Sequence, residues 1–172
     1  MDLDQLYHNN LSLLQKAGIQ YAQYEHEPVL TYAKAAEIRA RFNLKGVESK
    51  SLFLKLRDGR YCMFVSIETE RIDGKKIKKI LGSRPRVCSD GELTKITGCV
   101  PGCAVPFGHP QGVILIIDHE IFRHERYIYS PGLPEKTIEI RTVDISKILE
   151  NSPNKVIHYI SSEPANELRN QQ

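Results

Sequence analysis

The sequence predicts an α+β domain: a mixed, mostly antiparallel sheet or partial barrel flanked by helices. Three observations carry that reading. Two apolar runs flank Asp58-Gly59, the dipeptide of tight hairpins. Amphipathic helical stretches are interspersed among strand-like runs, and no sustained strand–helix–strand alternation appears. The chain has 172 residues, 41% of them hydrophobic, enough for one well-buried core. Residues 1–150 are read as a single domain and 151–172 as a polar, frayed tail.

Taken in order, "LDQLYHNNLSLLQKAG" repeats apolar residues at Leu3, Leu6, Tyr7, Leu11 and Leu14 and ends at Gly18, an amphipathic helix with a glycine stop. "IQYAQYEHEP" reads as a strand ended by Pro28. Thr31 is placed to cap a helix running to Phe42. "KSLFLKL" and "YCMFVSI" form the hairpin. In "DGKKIKKILG", Asp73 caps a helix, Ile77, Ile80 and Leu81 make one stripe, and Gly82 stops it. "SRPRVCS" is extended, and Ser89 with Glu92 forms a capping box. "GVILIID", "RYIYSPG" and "KTIEIRT" are three further strands, closed by the helix "DISKILE".

Composition narrows the function. The longest apolar run, "GVILII", falls far short of the roughly 18 residues a membrane span needs. The opening "MDLDQLYHNN" is acidic and polar, unlike a secretory signal, so a cytoplasmic protein with reduced thiols at Cys62, Cys88, Cys99 and Cys103 is expected. Net charge is +3, yet Arg71–Arg86 alone holds seven basic residues against one acid and leaves the rest at −3. Such a field suits a partner carrying phosphates. It equally suits a solvated helix face.

"TGCVPGCAVPFGHP" concentrates glycines, prolines, two cysteines and His109, so it is a loop with special backbone angles. As a metal clasp it is poor: Cys99 and Cys103 lack the usual spacing and no second pair follows. As a redox pair it lacks the two-residue gap. A cysteine nucleophile needs a histidine base, for which His26, His109, His119 and His124 are candidates. As a backbone cradle, its N–H groups converge on one oxygen in an oxyanion hole or anion nest. As an inert turn it needs no ligand. Lys50, at the mouth of "SLFLKL", is either a surface lysine or a phosphate-binding cation.

The order Thr31, "VESKSLFLK", "DGRYCMFV", "KKIKKILG", "TGCVPGCAVPFG", "IID", "YIYSPG" and "IEI" resembles the YbaK-like aminoacyl-tRNA deacylases, related to the editing insertion of bacterial prolyl-tRNA synthetase. The resemblance spans Ile19 to Leu149. Its most specific elements are a lysine in a K-[ST]-L strand, matched by Lys50, and a G-x-x-x-P loop, matched by Gly102 to Pro106. It implies that family's editing-domain fold and hydrolysis of the ester joining a wrong amino acid to tRNA, without metal, cofactor or side-chain nucleophile. Lys50 would hold a phosphate near the terminal adenosine. The loop, through Gly102, Cys103, Ala104 and Pro106, would offer N–H groups to the aminoacyl carbonyl, and a water helped by the ribose hydroxyl would attack. Thr31, Phe53, Ser66, His109 and Gly132 would shape the pocket, with His109 either selecting polar amino acids such as serine or threonine or capping the loop.

The implied partner is the aminoacylated acceptor end of tRNA, gripped by Lys75, Lys76, Lys79 and Arg84, with an aminoacyl-tRNA synthetase as a further partner and neither membrane nor DNA. No synthetase catalytic or anticodon-binding domain is recognisable, so the factor would act in trans. The competing readings are a non-catalytic tRNA- or synthetase-binding module on the same fold and a cysteine- or metal-dependent hydrolase. A DNA-binding regulator is weaker still, since no helix-turn-helix is present.

Overall fold

The computed structural model describes residues 1–161. Helix α1 (Leu3–Lys16) starts at Asp2, whose carboxylate accepts from Gln5 N–H, and buries Leu6, Asn10, Leu13 and Leu14. Strand β1 (Ala22–Glu25) follows, then α2 (Tyr32–Arg41), capped by Thr31 as its sequence position predicts. The hairpin consists of β2 (Val47–Leu56) and β3 (Tyr61–Ile67), with Lys50 opposite Ser66 and Ser51 opposite Val65.

Helix α3 (Gly74–Leu81) is capped by Asp73 and ended by Gly82 in the left-handed region. Of its expected apolar stripe only Ile77 is fully buried; Ile80 is 43% exposed, because this two-turn helix meets the sheet along a single line. Short β4 (Pro85–Val87) leads into α4 (Asp90–Thr97), opened by the Ser89–Glu92 capping box. Strands β5 (Val113–Asp118), β6 (Arg126–Tyr129) and β7 (Lys136–Arg141) and helix α5 (Ile145–Asn151) fall where the sequence placed them.

The expected tail departs from that reading. Val156–Tyr159 forms β8, parallel to β5 at the sheet's end, with Tyr159 only 1% exposed. Burial of Tyr159, whose hydroxyl accepts from Asp73 N–H at 3.1 Å, outweighs the polar composition around it. Residues 162–172 of that stretch lie outside the described residues.

The sheet order is β1-β7-β6-β2-β3-β5-β8, with β4 branching from β2. Pairs β1/β7, β7/β6, β2/β3 and β2/β4 are antiparallel, whereas β2/β6, β3/β5 and β5/β8 are parallel. Strands covered on both faces read as continuous apolar runs. Accordingly Met63, Phe64 and Val65 of β3 and Leu115, Ile116 and Ile117 of β5 are all 0% exposed. One face carries the larger core, under α1, α5 and the glycine loop; the other packs Leu54, Phe64, Ile116 and Tyr159 beneath Ile77 of α3. No described helix is long and apolar enough to cross a membrane.

Candidate active site

On the larger-core side, β2 faces the glycine loop and the start of α2 across a cavity of about 340 Å³. Ser49, Ser51 and Phe53 of β2 line it together with Thr31, Tyr32 and Ala35 at the head of α2. Gly102, Cys103 and Ala104 supply the loop side, and Ser130, Lys136 and Thr137 come from β7 and the turn before it. Leu30, Tyr32 and Val87, also among the lining residues, are 42, 45 and 60% exposed and form an apolar rim.

Local sequence explains the loop. Val100 to Cys103 is a tight turn closed by Cys103 N–H donating to Val100 O at 2.8 Å. Proline in its second position and Gly102 at φ +85° in its third meet the demands of a type II turn. A Cβ on Gly102 would stand 2.7 Å from Leu30 O, so the position excludes a side chain on two counts. The turn spends the Cys103 N–H internally. Those of Gly102 and Ala104 have no acceptor among the described residues, and both residues line the cavity.

Behind the turn, residues 105–109 are buried. His109 Nε2–H donates to Val105 O at 2.7 Å, while its Nδ1 is buried without a partner among the described residues. Helix α1 holds the next two carbonyls: Asn10 Nδ2 donates to Phe107 O at 2.9 Å and Asn9 Nδ2 to Gly108 O at 3.0 Å. A Cβ on Gly108 would lie 2.4 Å from Asn10 Nδ2. That glycine therefore serves the approach of α1, not of a ligand.

Of the residues expected at the site, the structure gathers Thr31, Phe53, Gly102, Cys103 and Ala104 around the cavity. Lys50, Ser66, Pro106, His109 and Gly132 are not among its lining residues. Lys50 Nζ donates to Glu70 O at 2.7 Å, although Ser49 and Ser51 on either side of it face the cavity. Ser66 is fully buried and donates to Asp118 Oδ2 at 2.8 Å. Gly132 lies beneath the backbone of Tyr7, and His109 sits inside the loop as its brace.

Of the basic set, Lys75, Lys79 and Arg84 are exposed. Lys76 instead donates to Ile160 O and Ser161 O and lies 5.8 Å over the Tyr159 ring. Sequence reasoning missed Glu48, Ser51, Ser130 and Thr137 as wall residues. For Ser51 the signal was present, since it occupies the [ST] position of the K-[ST]-L motif.

Electrostatics set the chemistry available. Burial pushes the Cys103 and Cys88 thiols up to about 11, so at neutral pH both hold their protons and are poor nucleophiles. Burial, and then the charge of Glu68, raise Glu48 to about 7, with Arg39 opposing. His109 is held down at about 4 by desolvation, against the pull of Val105 O. The cavity thus combines protonated thiols with two backbone donors that have no acceptor among the described residues, and Glu48, Asp90 and Lys136 are its ionisable wall residues. That arrangement can polarise a carbonyl without charging a side chain.

Comparison with known proteins gives this arrangement its relatives. Residues 26–148 match the aminoacyl-tRNA editing domain family, which leaves α1 outside the matched segment. ProXp-y of Escherichia coli (strain K12), a multifunctional Ser/Thr-tRNA deacylase, is 23% identical over 145 residues, covering 81% of this chain and 86% of its own. The crystal structure of hypothetical protein APE2540 superposes with a TM-score of 0.73 at 17% identity, over 87% of this chain and 97% of that one. A candidate trans-editing enzyme for prolyl tRNA synthetase gives a TM-score of 0.67 at 18% identity, over 89 and 95%. Fold, loop and matched segment agree, and the chain belongs to the aminoacyl-tRNA editing domain family, in its YbaK-like branch.

Proposed function

We propose that this protein hydrolyses the ester of mischarged aminoacyl-tRNA, acting in trans. The observation that carries the reading is the pair of N–H groups, Gly102 and Ala104, that have no acceptor among the described residues and belong to residues lining a cavity, inside a chain of the editing-domain family. An aminoacyl ester is already activated, so positioning and carbonyl polarisation suffice. The two N–H groups receive the carbonyl oxygen as it becomes an oxyanion, and a water attacks from the ribose side. Cys103 contributes backbone shape and an apolar wall; its thiol keeps its proton throughout. Lys50 exchanges the Glu70 carbonyl for a phosphate next to the terminal adenosine, within reach of its flexible stem. The adenine rests on the apolar rim at Tyr32, where stacking on an aromatic ring contributes about 1–3 kcal/mol.

The curated relative is named for seryl and threonyl esters, and this cavity is lined by several hydroxyl side chains. Small hydroxylated amino acids are the substrate class we assign. The test is single-turnover deacylation of tRNA charged with serine, threonine, alanine, cysteine or proline. Gly102→Ala keeps its N–H but forces the turn away from Leu30 O, and misdirecting the donor is expected to lower the rate by up to about 10²–10³-fold, the scale of an oxyanion donor's contribution. Lys50→Ala is expected to weaken hydrolysis severely. If the wild-type protein binds tRNA while every ester decays at its spontaneous rate, the protein is a binding module and the catalytic reading fails.

A further inference from the structure

Five serine and threonine side chains line the cavity, and four of them have partners. Thr31 Oγ1 accepts from Lys34 N–H, and Ser130 Oγ donates to Leu133 O while accepting from Gly132 N–H. Thr137 Oγ1 pairs with His26 Nε2 at 2.8 Å, and Ser49 hydrogen-bonds the Tyr127 hydroxyl. Ser51 differs. Its Oγ is buried and has no partner among the described residues, although the residue lines the cavity opposite the loop. A buried hydroxyl left unpaired costs about 1–3 kcal/mol. Such groups in native proteins call for an explanation, and a ligand that completes the bond is one.

We propose that Ser51 is the specificity-determining residue of the site, its hydroxyl pairing with the side-chain hydroxyl of the bound amino acid. The inference rests on the deacylase reading above and deepens it. β2 is held on one side by the hairpin register, Ser51 opposite Val65, and on the other by β4 and β6, so the Ser51 backbone is fixed while its Oγ turns about one bond. Nearby wall residues Phe53, Leu93 and Ala104 are apolar and bind a methyl or a hydroxyl with little preference. An apolar pocket discriminates such isosteres weakly, whereas a wall with its own unpaired polar group rejects the analogue that lacks a hydroxyl. Alanine leaves Ser51 unpaired, whereas serine and threonine complete it. Hydrolysis of a wrongly attached hydroxylated amino acid is favoured by the same atom whose burial destabilises the empty protein.

That last point separates a functional hydroxyl from a structural one. Ser51→Ala and Ser51→Thr are compared with the wild-type protein on one tRNA charged with serine, threonine or alanine, alongside thermal unfolding of each variant. Ser51→Ala is expected to cut the preference for seryl and threonyl over alanyl esters about 10- to 100-fold. It should also raise the unfolding midpoint, because the orphaned hydroxyl is gone. Ser51→Thr keeps the hydroxyl on a β-branched residue suited to a strand, and should retain the preference.

An equal loss on all three esters would overturn the proposal, since Ser51 would then serve the ribose or ester common to them. An unchanged preference in Ser51→Ala would overturn it too. If the wild-type protein hydrolyses none of the esters, the deacylase reading itself falls, and this assignment with it.

Discussion

Two titratable side chains near the site, the buried His109 and the half-buried Glu48, respond to pH in opposite directions. His109 is held at about 4, below its ordinary 6.5, so the unfolded chain binds a proton that the folded one refuses. Its contribution is complete above pH 6.5 and is lost as pH falls toward 4. Glu48 is raised from 4.5 to about 7 by burial and by Glu68, with Arg39 opposing. The folded state prefers its protonated form, so that contribution is complete below pH 4.5 and lost as pH rises through 7. Between pH 4.5 and 6.5 the two oppose one another and flatten the stability profile. Glu48→Gln removes one of them. Urea unfolding at pH 5 and 7.5 should show the variant gaining about 1–2 kcal/mol on wild type between the two, the partial exposure of Glu48 reducing the full effect. Parallel changes in both proteins would refute the Glu48 assignment. In the same samples the His109 ring should stay neutral at pH 5 by NMR.

Among elements, α1 has the least expected role. Its heptad-like spacing marks it as an amphipathic packing helix, and the sequence offers no sign that Asn9 and Asn10 would reach across almost a hundred residues to the loop. Local signals were legible: the Asp58-Gly59 hairpin, the Thr31 and Asp73 caps and the Ser89–Glu92 box all depend on neighbours within four residues. Long-range pairing was not. The parallel partners β3/β5 and β5/β8, and Tyr159 recruiting a strand from a polar stretch, depend on what lies across the fold. The site divides the same way. Gly102 and the loop could be read from their residues, but the turn of Lys50 toward Glu70 and the neutral, buried His109 could not. The α1 contact is nonetheless testable. Asn10→Ala strips Phe107 O of its donor and frees the segment that follows the Val100–Cys103 turn, while leaving the cavity wall untouched. Single-turnover kinetics should show the chemical step slowed about tenfold or more with little change in the half-saturating tRNA concentration, since a small misplacement of aligned groups is costly. A change confined to tRNA affinity would place α1 in binding instead.

At the scale of the whole molecule, the basic helix α3 and the cavity lie on opposite faces of the sheet, and β4 joins them. α3 with its lysines leads through Arg84 into β4, and β4 ends at Val87 and Cys88 on the cavity wall. On the proposed reading, a polyanion drawn to Lys75, Lys79 and Arg84 would be led along β4 to the apolar rim. Not every basic residue is available for that. Arg86 is bonded to Glu92 at 2.7 Å, and Lys76 ties the end of β8 to α3. The structure thus separates cations that can neutralise phosphates from cations already committed within the fold. Each phosphate contact contributes about 0.7–0.9 to the slope of log affinity against log salt. Replacing Lys75 and Lys79 together by alanine should therefore flatten that slope by about 1.5, measured by tRNA binding from 50 to 200 mM salt. Lys76→Ala should leave the slope near wild type and instead lower the unfolding midpoint, because it releases two carbonyls and a ring contact. If the double variant binds with an unaltered slope, α3 is a solvated face and the acceptor end is held elsewhere. If Lys76→Ala flattens the slope as much as the pair does, its bonds to Ile160 and Ser161 yield to tRNA, and the end of β8 moves when the substrate arrives.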